Sequence, residues 1–160
     1  MTTQIEYLEA KSKSHFEHAR ILFLEYAESL EFSLDFQEFE REIAELPGEY
    51  AFPEGCILLA YCEGRPAGCV ALRKLEDGIC EMKRLYVKPE FRGLEIGKTL
   101  SRMIVGKARE IGYGKMRLDS LSSMVEAISI YRSLGFEEIE PYRFNPMADV
   151  VFMEIDLQKV

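Results

Sequence analysis

Positive charge is in short supply in this chain: Lys and Arg number 20 against 28 Asp and Glu, for a formal net charge of −8. Nonspecific nucleic-acid binding needs basic surface to displace phosphate counterions, so no nucleic-acid partner is expected. No apolar run approaches the ~20 residues of a membrane-spanning helix, and the opening MTTQIEYLEAKSKSH lacks an apolar signal core. The default reading is a cytoplasmic protein with no membrane partner. Cysteines occur at Cys56, Cys62, Cys69 and Cys80, with no Cys-x-x-Cys pair among them. They lie in apolar strand-like runs and read as buried reduced thiols, not as metal ligands. Histidine is confined to His15 and His18, in one helix-like segment. Internal repeats, low-complexity segments and linkers are also missing.

What is present is enough apolar material for a core: 48% of 160 residues, read as a single domain over 1–160. Ile5–Ala10 is a short strand candidate. A helix is expected from about Ser14 to Ser29, with Phe16, Ala19, Phe23 and Ala27 near helical spacing. Asp35 is a candidate N-cap for a second helix through Leu46, which Pro47-Gly48 ends. Three strands follow: Cys56–Glu63, Ala67–Leu75 and Ile79–Val87. They are joined by the turn signals Gly64-Arg65-Pro66 and Glu76-Asp77-Gly78. Gly97–Ile111 carries Leu100, Met103, Ile104, Ala108 and Ile111 on one helical face. Lys115–Leu121 reads as a strand, Met124–Ser133 as a short helix, and Val150–Leu157 as a final strand. The order β-α-α-β-β-β-α-β-α-β is that of a mixed α/β sheet, antiparallel first and then crossing over through helices.

The densest chemistry lies between Leu85 and Lys98, where strand, Pro89, a Gly-containing turn and a helix start follow one another. Such a turn gathers successive backbone N–H groups, and the helix start adds unpaired donors and a positive dipole end. The product is an anion site suited to a pyrophosphate, with Arg92 and Lys98 at its rim. A nucleotide P-loop is the competing reading of Gly97-Lys98-Thr99. It requires Gly at position 92, which is Arg, and a parallel strand before it.

The segment resembles the acetyl-CoA motif of the GNAT acetyltransferases, in which Arg or Gln is followed three residues on by Gly and then by a second Gly or Ala. Arg92 and Gly97 match; Glu95 stands where the first Gly is usual. Arg84–Pro89 is similar to the family's fourth strand, and Ala127-x-x-x-Tyr131-x-x-x-Gly135-Phe136 to its later helix. Met124 replaces an Asn common seven residues before that Tyr. The resemblance implies a GNAT acyl-CoA N-acyltransferase fold and acetyl-CoA as cosubstrate without a metal. The acceptor would be a primary amine, on a small molecule or a peptide. A homodimer is compatible with it.

Carried residue by residue, the likeness places the pantetheine arm along the backbone of Leu85, Tyr86 and Val87. The pyrophosphate falls on Arg92, Gly93, Leu94, Glu95, Ile96, Gly97 and Lys98. Tyr131 is the acid for the leaving thiolate, and Glu81 resembles the family's strand carboxylate acting as base. Glu81 lies an even number of residues from Leu85 and is expected on the same face, with Cys80 opposite. Attack would be direct, in a ternary complex. The acceptor region is Leu24–Phe32, whose aromatics and carboxylates fit either a cationic amine or a solvated acidic helix face. The alternative from another class is a noncatalytic acyl-CoA-binding module of the same fold.

Overall fold

The alternating apolar residues of the central meander build the middle of one mixed sheet. The computed structural model describes residues 3–30, 38–145 and 149–158. Within them the chain runs β1 (Ile5–Glu9), α1 (Lys13–Ser29), α2 (Phe39–Ala44), β2 (Cys56–Cys62), β3 (Arg65–Glu76) and β4 (Ile79–Val87). It continues through α3 (Ile96–Ile111), β5 (Lys115–Leu121), α4 (Val125–Leu134), β6 (Glu137–Ile139) and β7 (Val150–Asp156). The sheet order is β1-β2-β3-β4-β5-β7-β6. Only β4 and β5 pair in parallel, as a right-handed crossover through a helix between them would require.

Each face of the sheet has its own core. Leu58, Val70, Leu72, Cys80, Met82, Met116 and Leu118 pack under α3 and α4 with Leu100, Ile104 and Tyr131. Ile57, Leu59, Cys69, Ala71 and Tyr86 face α1 and α2, meeting Leu22, Phe23 and Phe39. The α3 stripe is as expected except at its end, where Ile111 is exposed. Gly112, at φ 111°, caps that helix by donating to the carbonyls of Ala108 and Arg109. All four cysteines are buried free thiols, and burial pushes those of Cys56 and Cys80 up to about 12.

Several boundaries differ from expectation. The β2–β3 hairpin turns on Glu63-Gly64, both at positive φ, so Arg65 and Pro66 already belong to β3. Helix α2 starts only at Phe39 and ends at Ala44, short of Leu46, because the chain turns into a 3-10 segment at Gly48–Tyr50. The expected cap Asp35 lies outside the described residues.

Two features of β4 position the site. It pairs with β5 only at Ile79, Cys80 and Glu81, opposite Lys115, Met116 and Arg117. Beyond that point the two strands separate and leave a wedge between them. Against β3, Lys83 pairs with Ala71 and Tyr86 with Cys69, so β4 carries one extra residue between the two pairs. The bulge centres on Arg84, at φ 61°. An inserted residue reverses the alternation of side chains: Glu81 and Lys83 sit on the α1 face, while Leu85 and Val87 pack on the α3 face. The expectation that Glu81 shares a face with Leu85 is therefore corrected, and the bulge is the reason.

Candidate active site

The wedge opens into a cleft of about 800 Å³ at the C-terminal end of β4. Leu85, Tyr86 and Val87 form one wall, and Arg92, Gly93, Glu95, Ile96, Gly97 and Lys98 another. The turn after β4 is formed by the 3-10 segment Pro89–Phe91, which delivers the chain to the start of α3. Gly93, at φ 89°, and Glu95, at φ 61°, reverse it sharply. No side chain caps α3, so the amides of its first turn remain available to an anion. The expected pyrophosphate residues are thus brought together with one exception. Leu94 is an exposed side chain outside the cleft lining, because the turn carries it outward. Arg92 donates from Nε to the carbonyl of Val87 at 3.2 Å, tying the loop to the strand end. Gly68 on β3 lets α3 approach: a Cβ there would lie 2.9 Å from the Tyr86 carbonyl and 3.2 Å from Ile96.

Beside the cleft, and sharing Tyr26, Leu85 and Met124 with it, lies a small inner cavity of about 60 Å³ lined also by Lys83, Asp119, Ser120 and Tyr131. Tyr131 is buried, its ring 5.8 Å from that of Phe136, and no hydrogen-bond partner holds its hydroxyl among the described residues. Burial raises its pKa, so the phenol keeps its proton at neutral pH. Lys83 is buried on the opposite side of the cavity. Burial lowers its pKa to about 7; the charge of Arg84 pushes the same way and Asp119 opposes. The Oδ2 of Asp119 is buried with no hydrogen-bond partner among the described residues.

Glu81 lies at the base of the wedge, fully buried. Arg73 reaches its Oε1 from Nε at 3.1 Å and from Nη2 at 3.0 Å. On the other oxygen, Oε2, Tyr142 donates from its hydroxyl at 2.6 Å and Arg143 pairs through Nη2. A carboxylate held by two guanidiniums and a phenol has no convenient lone pair for an amine proton. This geometry makes Glu81 a brace between β3, β4 and the segment after β6. Arg84, in the bulge, is clamped by Glu42 of α2 through two contacts of 2.8 Å and lies over Phe39. From the acceptor region of α1, Tyr26 and Ser29 line the cleft, whereas Glu25 is paired with Lys88 at 3.2 Å. Met124 lines the cleft at the start of α4 and supplies no side-chain cap.

A splayed parallel strand pair, a bulge in the first strand and uncapped amides at the following helix are the geometry toward which the Arg92–Gly97 resemblance pointed. The Acetyltransferase (GNAT) family model matches residues 10–136. The chain belongs to the GNAT acetyltransferase family. A curated relative, an uncharacterized N-acetyltransferase of Schizosaccharomyces pombe, is 39% identical over 142 residues, covering 88% of this chain and 87% of the relative. Among solved structures, a GNAT acetyltransferase of Staphylococcus aureus aligns with TM-score 0.77 at 21% identity, covering 96% of this chain and 99% of its own. An acetyltransferase of Salmonella typhimurium solved with acetyl-CoA aligns with TM-score 0.73 at 18% identity, covering 98% and 95%. The GNAT fold and membership of an acyltransferase family are thereby established.

Several residues at this GNAT site had no role in the sequence reading: Arg73, Lys83, Arg84, Asp119, Tyr142 and Arg143. A signal existed for part of the set. Glu81, Lys83 and Arg84 are three charges in a nine-residue strand flanked on both sides by other strands, where charge is buried only if paired. Nothing local marks Tyr142 and Arg143, which reach Glu81 from a segment far from it in the chain.

Proposed function

We propose that this GNAT protein transfers the acetyl group of acetyl-CoA to a primary amine by direct attack in a ternary complex. One observation carries the reading: the cleft at the free helix-start amides shares the walls Tyr26, Leu85, Met124 and Ala127 with the inner cavity that Tyr131 lines. Pyrophosphate at the outer end would set the pantetheine arm along Leu85–Val87. The thioester would then fall where the wedge narrows. A backbone N–H beyond the bulge would stabilise the charge developing on the thioester oxygen. Tyr131, kept protonated by burial, would give its proton to the departing CoA thiolate. Bringing amine and thioester together in a closed wedge supplies proximity, so no acyl-enzyme is required.

The test is CoA release from acetyl-CoA across a panel of primary amines, with Tyr131→Phe in parallel. Turnover on at least one amine is expected. The Phe variant should lose on the order of a hundredfold in kcat while its acetyl-CoA affinity stays within about twofold. Tight acetyl-CoA binding with no turnover on any amine would favour a noncatalytic acyl-CoA-binding module. Undiminished turnover in the Phe variant would remove Tyr131 from the acid role.

A further inference from the structure

The inner cavity lies where β4 and β5 part. Their last pair is Glu81 with Arg117. The same parallel register, carried two residues on, sets Lys83 opposite Asp119 at the opening of the wedge. Both residues line the cavity, with Tyr26 of α1 from one face of the sheet and Tyr131 of α4 from the other. Leu85 and Met124 belong to the cavity and to the cleft alike. Acetyl-CoA laid along Leu85–Val87 would therefore bring its thioester to the edge of this space.

The groups around the cavity differ in what they can do to a thioester. No cysteine lines it or the cleft among the described residues. The Ser120 hydroxyl donates to the Leu121 carbonyl at 3.3 Å, and burial keeps the phenols of Tyr26 and Tyr131 protonated. Lys83 carries the one amine in the described lining. It is 5% exposed, so its charged form is poorly solvated. Arg84 beside it and Arg73 of β3 also oppose its proton, while Asp119 of β5 and Glu42 of α2 favour it. The balance leaves its pKa at about 7. At that pH about half of such amines are neutral, roughly a thousandfold more than for a free lysine of pKa ~10.4.

We infer that Lys83 is a self-acetylation site, its amine taking the acetyl group from acetyl-CoA bound in the cleft of the same chain. The inference rests on the acetyl-transfer reading, which puts the thioester beside the cavity. The Nζ lone pair adds to the thioester carbonyl carbon, and the C–N bond forms as the C–S bond breaks. Tyr131 gives its proton to the sulfur, and the proton lost by nitrogen replaces it. The products are an amide on Lys83 and free CoA. A buried amine that is already neutral needs no separate base, and proximity within one chain supplies the encounter. The amide also removes a charge that burial disfavours.

The experiment incubates the intact chain with acetyl-CoA and no acceptor, and follows it by whole-protein mass and peptide mapping. One acetyl group should appear first at Lys83, at a rate that saturates with acetyl-CoA. Desulfo-CoA, which keeps the pyrophosphate and cannot carry a thioester, should slow it at least about tenfold. The exposed Lys13 and Lys115 should react slowly, in proportion to donor and regardless of desulfo-CoA. The Lys83 rate should level off above about pH 7, while theirs keeps rising about tenfold per unit. Tyr131→Phe should slow Lys83 alone, by on the order of a hundredfold. Lys83 left unmodified in a protein that turns over amines overturns the inference and leaves acetyl transfer standing. Modification at the pace of Lys13, or undiminished by desulfo-CoA, also overturns it, as adventitious chemistry. Lys83 acetylated with no turnover of any amine supports the site and counts against an amine acceptor. Acetyl-CoA bound with neither modification nor turnover overturns both.

Discussion

Glu95 places a carboxylate and a left-handed backbone at the start of α3, where the incoming pyrophosphate would sit, and this combination yields a quantitative expectation. At roughly 7 Å in a water-like dielectric, one pair of like charges repels by about 0.6 kcal/mol, so two phosphate charges contribute about 1.2 kcal/mol. Screening leaves about 0.9 kcal/mol of this at 0.01 M salt and about 0.5 kcal/mol at 0.15 M. Glu95→Gln should therefore tighten acetyl-CoA binding about fivefold at low salt and about twofold at physiological salt. Glu95→Gly removes the same charge and also relieves the φ of 61°. Left-handed backbone costs a non-glycine residue roughly 1–2 kcal/mol, partly offset by the greater freedom of glycine when unfolded. Glycine should thus exceed Gln in stability by about 1 kcal/mol, or roughly 2–4 °C in Tm, with the same affinity. Calorimetric titration at two ionic strengths, with thermal melts of both variants, reads all of these. Affinity unchanged at low salt in both variants would refute the placement of the pyrophosphate on this loop.

Other expectations follow from the buried groups. The folded Lys83 pKa of about 7 lies below the ~10.4 of a free lysine, so the unfolded chain holds the extra proton between those values. Stability should then rise with pH through that window, by at most about 1.4 kcal/mol per unit. Lys83→Met should abolish the rise, and denaturant melts of both proteins that run parallel from pH 7 to 9 would contradict it. Glu81→Gln should destabilise by about 3 kcal/mol, since two guanidiniums lose their shared anion. It should leave the acid limb of the pH–rate profile in place; loss of that limb would return Glu81 to the role of base. Gly68→Ala should cost about 1–3 kcal/mol and weaken acetyl-CoA binding, because the new methyl pushes on the Tyr86 carbonyl and on Ile96 at the start of α3. Unchanged binding in that variant would mean that the α3 start tolerates displacement.

What could be read from residue order was whatever rests on local periodicity. The bounds of β4 and β5 coincide with expectation, and α3 differs by one residue, because strong alternation or a clear apolar stripe is closed by Gly or Pro. The strand-end and loop wall of the cleft followed from one stretch, Leu85–Val87 and Arg92–Lys98, with Leu94 alone of those residues turned away, whereas Tyr26, Ser29 and the α4 residues of the lining lie outside it. The acceptor side was harder to read for a physical reason. An inserted residue at Arg84 carries no glycine to announce it, yet it inverts every side chain before it relative to those after it. The environment of Glu81 likewise depends on Arg73 from β3 and on Tyr142 and Arg143 from beyond β6, residues brought together only by the tertiary fold.

The bulge also divides responsibility along a single strand. Before Arg84, Glu81 and Lys83 lie on the α1 face; after it, Leu85 and Val87 lie on the α3 face. Substitutions at Glu81 should therefore combine additively with substitutions at Val87, whereas Lys83 and Leu85, which line one cavity, should couple. The far ends of such a strand can drift independently of one another. Selection, or a designer, can work on one half while holding the other constant.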